Sequence, residues 1–68
     1  MSKFVDTSKI KVLVKNPKRG ASAKRFAFYK TGMTVARYIA TVVKAGDAPT
    51  VARADLRWDL ERNFIAVS

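Results

Sequence analysis

Two carboxylates, Asp55 and Asp59, have the residue type and the spacing that catalysis or metal binding would need. They lie four residues apart, so on a helix their side chains would be neighbours able to share a metal ion or a proton. Arg57 and Glu61 stand at the spacing of a supporting ion pair, which is typical of a solvated, charged helix face. Catalytic carboxylates also need burial that a short chain can hardly supply. We therefore expect no catalytic residue and no metal site.

The absence of two residue types removes most other chemistry. The chain has no cysteine and no histidine, which excludes disulfides, thiol nucleophiles, zinc sites of the usual kind and imidazole acid–base catalysis. Its three glycines are isolated from one another, so the sequence has no glycine-rich phosphate loop. We expect a protein that is not an enzyme and that needs no cofactor.

Positive charge is concentrated in the first half of the sequence. The 68 residues carry 14 Lys and Arg against 5 Asp and Glu, a formal charge of +9. Residues 1–34 contribute +8, since Asp6 is their only acidic residue, and residues 35–68 contribute +1. Residues 15–25 hold five basic side chains and no acidic one. Like charges at this density repel one another, so their concentration favours a polyanionic partner, whose condensed counterions are released on binding.

The segment that carries most of this charge, residues 15–30, is the predicted nucleic-acid-binding unit. A flexible loop bearing Lys18 and Arg19 can enter a minor groove or straddle a DNA backbone, and amides near Ser22 offer donors to an anion. Lysines on the preceding strand extend the positive surface. The expected binding residues are Lys9, Lys11, Lys15, Lys18, Arg19, Ser22, Lys24, Arg25, Lys30, Arg53 and Arg57.

Arg53 and Arg57 enter this set for a different reason. They share one face of a predicted helix, and arginines on such a face can read base edges in the major groove. The alternative is an exposed, salt-bridged face, because Asp55, Asp59 and Glu61 cancel the positive charge of this helix. The sequence leaves both interpretations open.

Aromatic side chains would be needed to stack unpaired bases, as single-strand-binding proteins do. Helical spacing instead predicts core positions for Phe26, Tyr29, Tyr38 and Trp58. Phe28 is the exception, because it is expected at the surface among basic residues. The aromatic residues therefore do not favour single-strand binding in particular.

Hydrophobic periodicity and capping residues place the elements that must position these side chains. Alternation in the first strand turns Ile10, Val12 and Val14 inward and its lysines outward. Ser22 and Thr34 are the expected N-caps of the first two helices. The predicted elements are a strand over residues 9–15, helices over residues 23–30, 35–44 and 52–62, and a strand over residues 64–67.

This order predicts an α+β domain in which about three short helices pack on a two-stranded β-ribbon formed by the N- and C-terminal strands, in the manner of winged-helix or helix-turn-helix modules. Residues 1–68 form one small domain, and residues 1–8 are expected to be poorly ordered. No apolar stretch approaches the ~20 residues of a membrane span, and the first residues do not form a signal peptide. We therefore expect a cytoplasmic protein without a membrane partner.

Three strings in the chain resemble a known group of proteins. They are Asn16-Pro-Lys-Arg19, Gly32-Met-Thr-Val35 and Arg53-Ala-Asp-Leu-Arg-Trp-Asp59, and they are similar to small uncharacterised basic proteins of bacteria, phages and other mobile elements. A weaker resemblance over residues 34–67 is to the winged-helix modules of excisionase and related regulators, with a Thr-Val helix start, Leu-Arg-Trp in a helix and a turn into a short strand. The resemblance implies nucleic-acid binding.

These observations predict a small basic DNA-binding protein dominated by phosphate contacts, and an accessory role in transcription or recombination. Such a protein would associate with the nucleoid, and a homodimer would align two copies on the duplex. One alternative is a phage-type inhibitor or adaptor that docks on an acidic or nucleic-acid-handling protein complex. RNA is the other alternative, because it offers the same phosphates.

Overall fold

Five short elements make up the computed structural model, which describes residues 4–68. In chain order they are β1 (Ile10–Val12), α1 (Gly20–Phe26), α2 (Val35–Lys44), α3 (Pro49–Glu61) and β2 (Ile65–Val67). The predicted α+β fold, with three helices and a two-stranded antiparallel sheet, is confirmed. Within the described residues, every helix is too short or too polar to cross a membrane.

The β-ribbon joins two segments that most of the sequence separates. Ile10 lies opposite Val67, and Val12 lies opposite Ile65. Along β1, Ile10 is buried, Lys11 is exposed and Val12 is partly buried, which is the expected alternation. The predicted strand over residues 9–15 is too long, because the pairing with β2 ends at Val12. Beyond it Val14 is 40% exposed and does not point inward as predicted.

Helix α1 begins and ends earlier than the sequence predicts. Arg19 rather than Ser22 is its N-cap residue, and Ser22 lies inside the helix. The helix stops at Phe26 because the next residues form tight turns, in which the Phe28 and Tyr29 amides donate to carbonyls three residues back. These turns bring the Tyr29 ring edge-on to Phe26, with ring centroids 5.0 Å apart, and bury both side chains as predicted.

Helix α2 follows its local signals closely. The Thr34 hydroxyl accepts a hydrogen bond from the Arg37 amide at 3.2 Å, so the predicted N-cap is confirmed. Val35, Tyr38 and Val42 lie on one face and are fully buried. The predicted range of residues 35–44 is therefore confirmed.

Helix α3 begins at Pro49, three residues before the predicted start. Proline is well suited to the first turn of a helix, where its missing N–H group would have had no partner. Asn63 leaves the helix in the left-handed conformation, with φ of 57°. Leu56 is fully buried, whereas Leu60 is only partly buried.

The core lies where the three helices meet the inner face of the ribbon. The Tyr29 and Tyr38 rings stack at its centre with centroids 4.3 Å apart. Amides of α2 donate hydrogen bonds to the carbonyls of Asp6 and Ser8, which attaches the segment before β1 to the domain. The sequence predicts poor order for residues 1–8, of which residues 1–3 lie outside the described residues. The core residues are Ile10, Phe26, Tyr29, Val35, Tyr38, Val42, Ala52, Leu56 and Ile65.

Candidate nucleic-acid interface

The basic loop, residues 13–19, is held by hydrogen bonds. The Asn16 side chain accepts from the Lys18 amide at 3.0 Å and donates to the Ala23 carbonyl at 2.8 Å, which ties the loop to α1. Gly20 then takes a φ of +63°, a left-handed conformation that glycine adopts without strain. The structure therefore gives this loop one defined path, where the sequence predicts a flexible one.

Lys18 turns inward from this loop to a buried carboxylate. Its Nζ lies 2.7 Å from Oδ1 of Asp59, whose side chain is only 1% exposed. This approach lies outside hydrogen-bonding geometry, so the contact is an attraction between charges. The hydroxyl of Tyr29 donates to the other carboxylate oxygen, Oδ2, at 2.7 Å. A carboxylate buried this deeply requires such partners, because removal from water disfavours its charged form.

Arg25 makes the corresponding contact one helical turn earlier on α3. Its Nε donates to Oδ2 of Asp55, and its Nη2 lies 3.2 Å from the Ser22 hydroxyl. The hydroxyl of Tyr38 donates to the same oxygen of Asp55 at 3.3 Å. The hydrogen bond to Asp55 raises the pKa of Arg25 above its ordinary value, although burial acts in the opposite direction. Asp47 adds a longer ion pair to this guanidinium at 3.8 Å.

Both tyrosines in these contacts are held in the protonated form. Burial raises the pKa of Tyr29 and that of Tyr38 well above the ordinary value of 10, because a tyrosinate would lose its hydration. The charge of Asp55 raises the pKa of Tyr38 further, and Asp59 does the same for Tyr29. We refer to the six linked side chains as the polar cluster: Lys18, Arg25, Tyr29, Tyr38, Asp55 and Asp59.

The polar cluster corrects the sequence-based view of the α3 carboxylates. Asp55 and Asp59 are not on a solvated face, and their partners are Lys18 and Arg25 rather than the arginines of α3. Asp59 is buried and the Asp55 side chain is only 15% exposed, because Leu56 and Ala52, their neighbours on the same helix face, pack in the core. The cluster therefore joins α1 and the basic loop to α3.

The predicted binding residues consequently fall into three groups. Lys18 and Arg25 are largely buried and paired with carboxylates, and Ser22 is partly buried with its hydroxyl on Arg25. Arg53 is exposed and lies 3.8 Å from Asp6. The remaining members extend from the surface and lie more than 4.0 Å from every described carboxylate: Lys9, Lys11, Lys15, Arg19, Lys24, Lys30 and Arg57.

Two aromatic residues lie at positions that differ from the sequence prediction. Trp58, expected in the core, is 49% exposed, and the Arg62 guanidinium stacks on its ring 3.3 Å from the centroid. Phe28, expected at the surface, is partly buried against the core. A signal for Trp58 was present, because it lies two residues after Leu56 and so falls nearly opposite the buried face of α3.

Ion pairing leaves an excess of unpaired cations on the exposed surface. Four of the five carboxylates, all but Glu61, lie within 4.0 Å of a lysine or arginine of the described chain. Besides the seven predicted residues, the cations of Arg37, Lys44 and Arg62 also lie beyond that distance from any described carboxylate. No protein-family model, curated protein or solved structure matches this chain.

Proposed function

We propose that this protein binds DNA, chiefly through the phosphates, with the outer side of its basic loop and α1 as the principal contact. The observation that carries the proposal is the separation of charges described above. Four of the five carboxylates are taken up in ion pairs with Lys18, Arg25 and Arg53, whereas ten cations of the described chain extend into solvent without such a partner. A polyanion neutralises such a surface and gains from counterion release.

Arg19 and Lys24 are the proposed phosphate contacts nearest the polar cluster. Both are exposed, and each is adjacent in sequence to a cluster cation, Lys18 or Arg25. The cluster cations act indirectly, because they fix the path of the loop and of α1 from inside. Three lysines on the exposed side of β1 and its flanks are further proposed phosphate contacts: Lys9, Lys11 and Lys15.

Arg57 is the proposed contact to base edges. It is exposed on α3, and the carboxylates Asp55 and Asp59 that would have neutralised it are paired with α1 and the basic loop instead. Arg53 is less free, since it already lies 3.8 Å from Asp6. An arginine available in this way can donate two hydrogen bonds to guanine in the major groove.

The test is a fluorescence-anisotropy titration of labelled duplex DNA at several salt concentrations. We expect the logarithm of the association constant to fall linearly with the logarithm of salt, with a slope of about −0.9 per phosphate contact. The double variant Arg19→Ala with Lys24→Ala should make the slope shallower by about 1.8. Absence of duplex binding at low salt would refute the proposal.

A charge-matched control separates this surface from net charge alone. Arg37→Ala with Lys44→Ala removes the same two charges from the exposed side of α2. The proposal expects a smaller change in slope for this variant than for the Arg19 and Lys24 variant. Equal changes would show that binding has no preferred face. Duplex RNA titrated in parallel tests whether the binding discriminates DNA from RNA.

A further inference from the structure

Trp58 is the exposed aromatic side chain of the described surface, and nothing in the core explains its position. The aromatic residues Phe26, Tyr29 and Tyr38, by contrast, are buried. A half-exposed indole beside charged groups is an arrangement that favours contact with a flat, partly apolar partner.

The Arg62 guanidinium covers one face of the Trp58 ring and fixes the orientation of the ring. The guanidinium carbon lies 3.3 Å from the ring centroid, which is stacking distance. The ring also lines a groove of about 390 Å³ between α1 and α3. The other residues that line it are Lys18, Arg19, Ser22, Ala54 and Asp55. This volume falls within the range of about 300–1,000 Å³ of small-ligand sites, so the groove admits a nucleotide-sized group.

The charges around the groove give a bound group one orientation. Arg19 is exposed at the groove and Arg62 lies over the ring, so both offer cations to solvent. Asp55 lies deeper, is only 15% exposed and is paired with Arg25. A phosphate would be repelled by this carboxylate and attracted by the arginines. A nucleotide would therefore enter with its base toward Trp58 and its phosphates toward Arg19 and Arg62.

We propose that Trp58, with Arg62 and Arg19, forms a stacking site for an unpaired base of a DNA strand. The inference rests on the DNA binding proposed above and adds to it a preference for DNA that contains unpaired bases. A base within a duplex is covered on both faces by its neighbours, so it has no free face for the ring. Stacking of this kind tolerates any base, because every base presents a π-face.

Trp58 is the sole tryptophan of the chain, so its fluorescence reports on this site alone. The probes are a short oligo-dT strand and a strand of the same length and charge built from abasic residues. We expect oligo-dT to quench the fluorescence and the abasic strand to leave it nearly unchanged when the same fraction of protein is bound. Equal quenching by the two strands would overturn the inference, because phosphates alone would then account for it.

The matched variants are Trp58→Leu and Trp58→Phe. We expect Trp58→Leu to weaken oligo-dT binding about 5- to 150-fold, and Trp58→Phe to weaken it less because a ring remains. Neither variant should alter affinity for a fully paired duplex or for the abasic strand. Circular dichroism during thermal unfolding confirms that each variant is folded. Unchanged oligo-dT affinity of Trp58→Leu would refute the stacking site.

The outcomes distinguish failure of this inference from failure of the proposed function. Duplex binding with a steep salt dependence, but with equal quenching by both strands, would leave phosphate-dominated DNA binding intact and remove the stacking site. Quenching by oligo-dT without any duplex binding would retain the stacking site and refute the duplex interface.

Discussion

Lys18 and Arg25 differ from Arg19 and Lys24, although all four belong to one basic segment. The first two pair with Asp59 and Asp55, and the second two extend into solvent. The local backbone conformation determines which of these cations face a carboxylate and which face solvent. Arg19 is in an extended conformation, where successive side chains point to opposite sides, and Lys24 and Arg25 are about 100° apart around α1. Charge density in the sequence therefore does not reveal which cations remain available to a ligand.

The largest expected effect comes from removing an inward cation. Lys18→Ala leaves Asp59 buried without its ion-pair partner and should lower the free energy of unfolding by about 3–5 kcal/mol. Arg19→Ala, one residue away and exposed, should change it by less than about 0.5 kcal/mol. Urea unfolding followed by circular dichroism measures both.

A second variant tests whether the unpaired charge is the cause. Lys18→Met with Asp59→Asn removes both charges, so it should recover most of the stability lost in Lys18→Ala. If the double variant is as unstable as the single one, packing rather than charge explains the loss. Wild-type stability of Lys18→Ala would contradict the distinction between inward and outward cations.

The next effect tests the tyrosines of the polar cluster in alkaline solution. Because the pKa values of Tyr29 and Tyr38 are raised in the folded protein, their contribution is fully present below the unfolded tyrosine pKa of about 10. Above that pH the unfolded chain releases protons that the native state retains. The free energy of unfolding should then fall by up to about 1.4 kcal/mol per pH unit for each tyrosine.

Tyrosinate absorbance measures this effect directly, since the chain has two tyrosines and both belong to the cluster. We expect ionisation of the tyrosines to coincide with unfolding as the pH rises. Urea at a concentration too low to unfold the protein by itself should shift both transitions to lower pH together. Tyr38→Phe should reduce the pH dependence by about half. Tyrosinate formation near pH ~10 in the folded protein would refute the burial argument.

The sequence predicts those parts of the fold that depend on local signals. The Thr34 cap and the apolar spacing of Val35, Tyr38 and Val42 lie within one helix, so its bounds are predicted without error. Asn63 tolerates the left-handed exit from α3 because its short polar side chain permits it. The ribbon is predicted because its two strands carry the apolar residues that no helix uses.

The polar cluster could not be predicted in the same way, because it depends on contacts between distant segments. Arg25 and Tyr29 meet Asp55 and Asp59, and each pair is separated by 30 residues. Helical periodicity alone gives no partner for these carboxylates. The sequence does contain one signal for these contacts. The two donors, Arg25 and Tyr29, are four residues apart, and so are the two acceptors, Asp55 and Asp59.

A smaller effect is expected at Gly20, whose left-handed conformation separates the extended loop from α1. Gly20→Ala should lower the free energy of unfolding by about 1–2 kcal/mol through backbone strain alone, because a Cβ there would meet no other atom. Gly20→Asn is the matched control and should lower it less, since asparagine tolerates this conformation better. Equal stability of Gly20→Ala and the wild type, measured by urea unfolding, would show that the loop adopts another path.

The smallest effect on stability is expected at Lys24, and it tests the difference between the exposed Lys24 and the ion-paired Arg25 within α1. Lys24→Ala should change the free energy of unfolding by less than about 0.5 kcal/mol, whereas Arg25→Ala should lower it more because Asp55 loses its ion-pair partner. In DNA binding the order reverses, and Lys24→Ala should make the salt slope shallower by about 0.9. A stability loss in Lys24→Ala as large as that in Arg25→Ala would contradict this assignment.

The pairing of Ile10 with Val67 also determines how the molecule can assemble. Closing a loop that spans most of the chain costs more entropy than packing neighbouring helices. We therefore expect α2 and α3 to form the folding nucleus, and the ribbon to close after the transition state. During synthesis β1 leaves the ribosome well before β2, so its apolar face has no sheet partner until Ile65 has emerged.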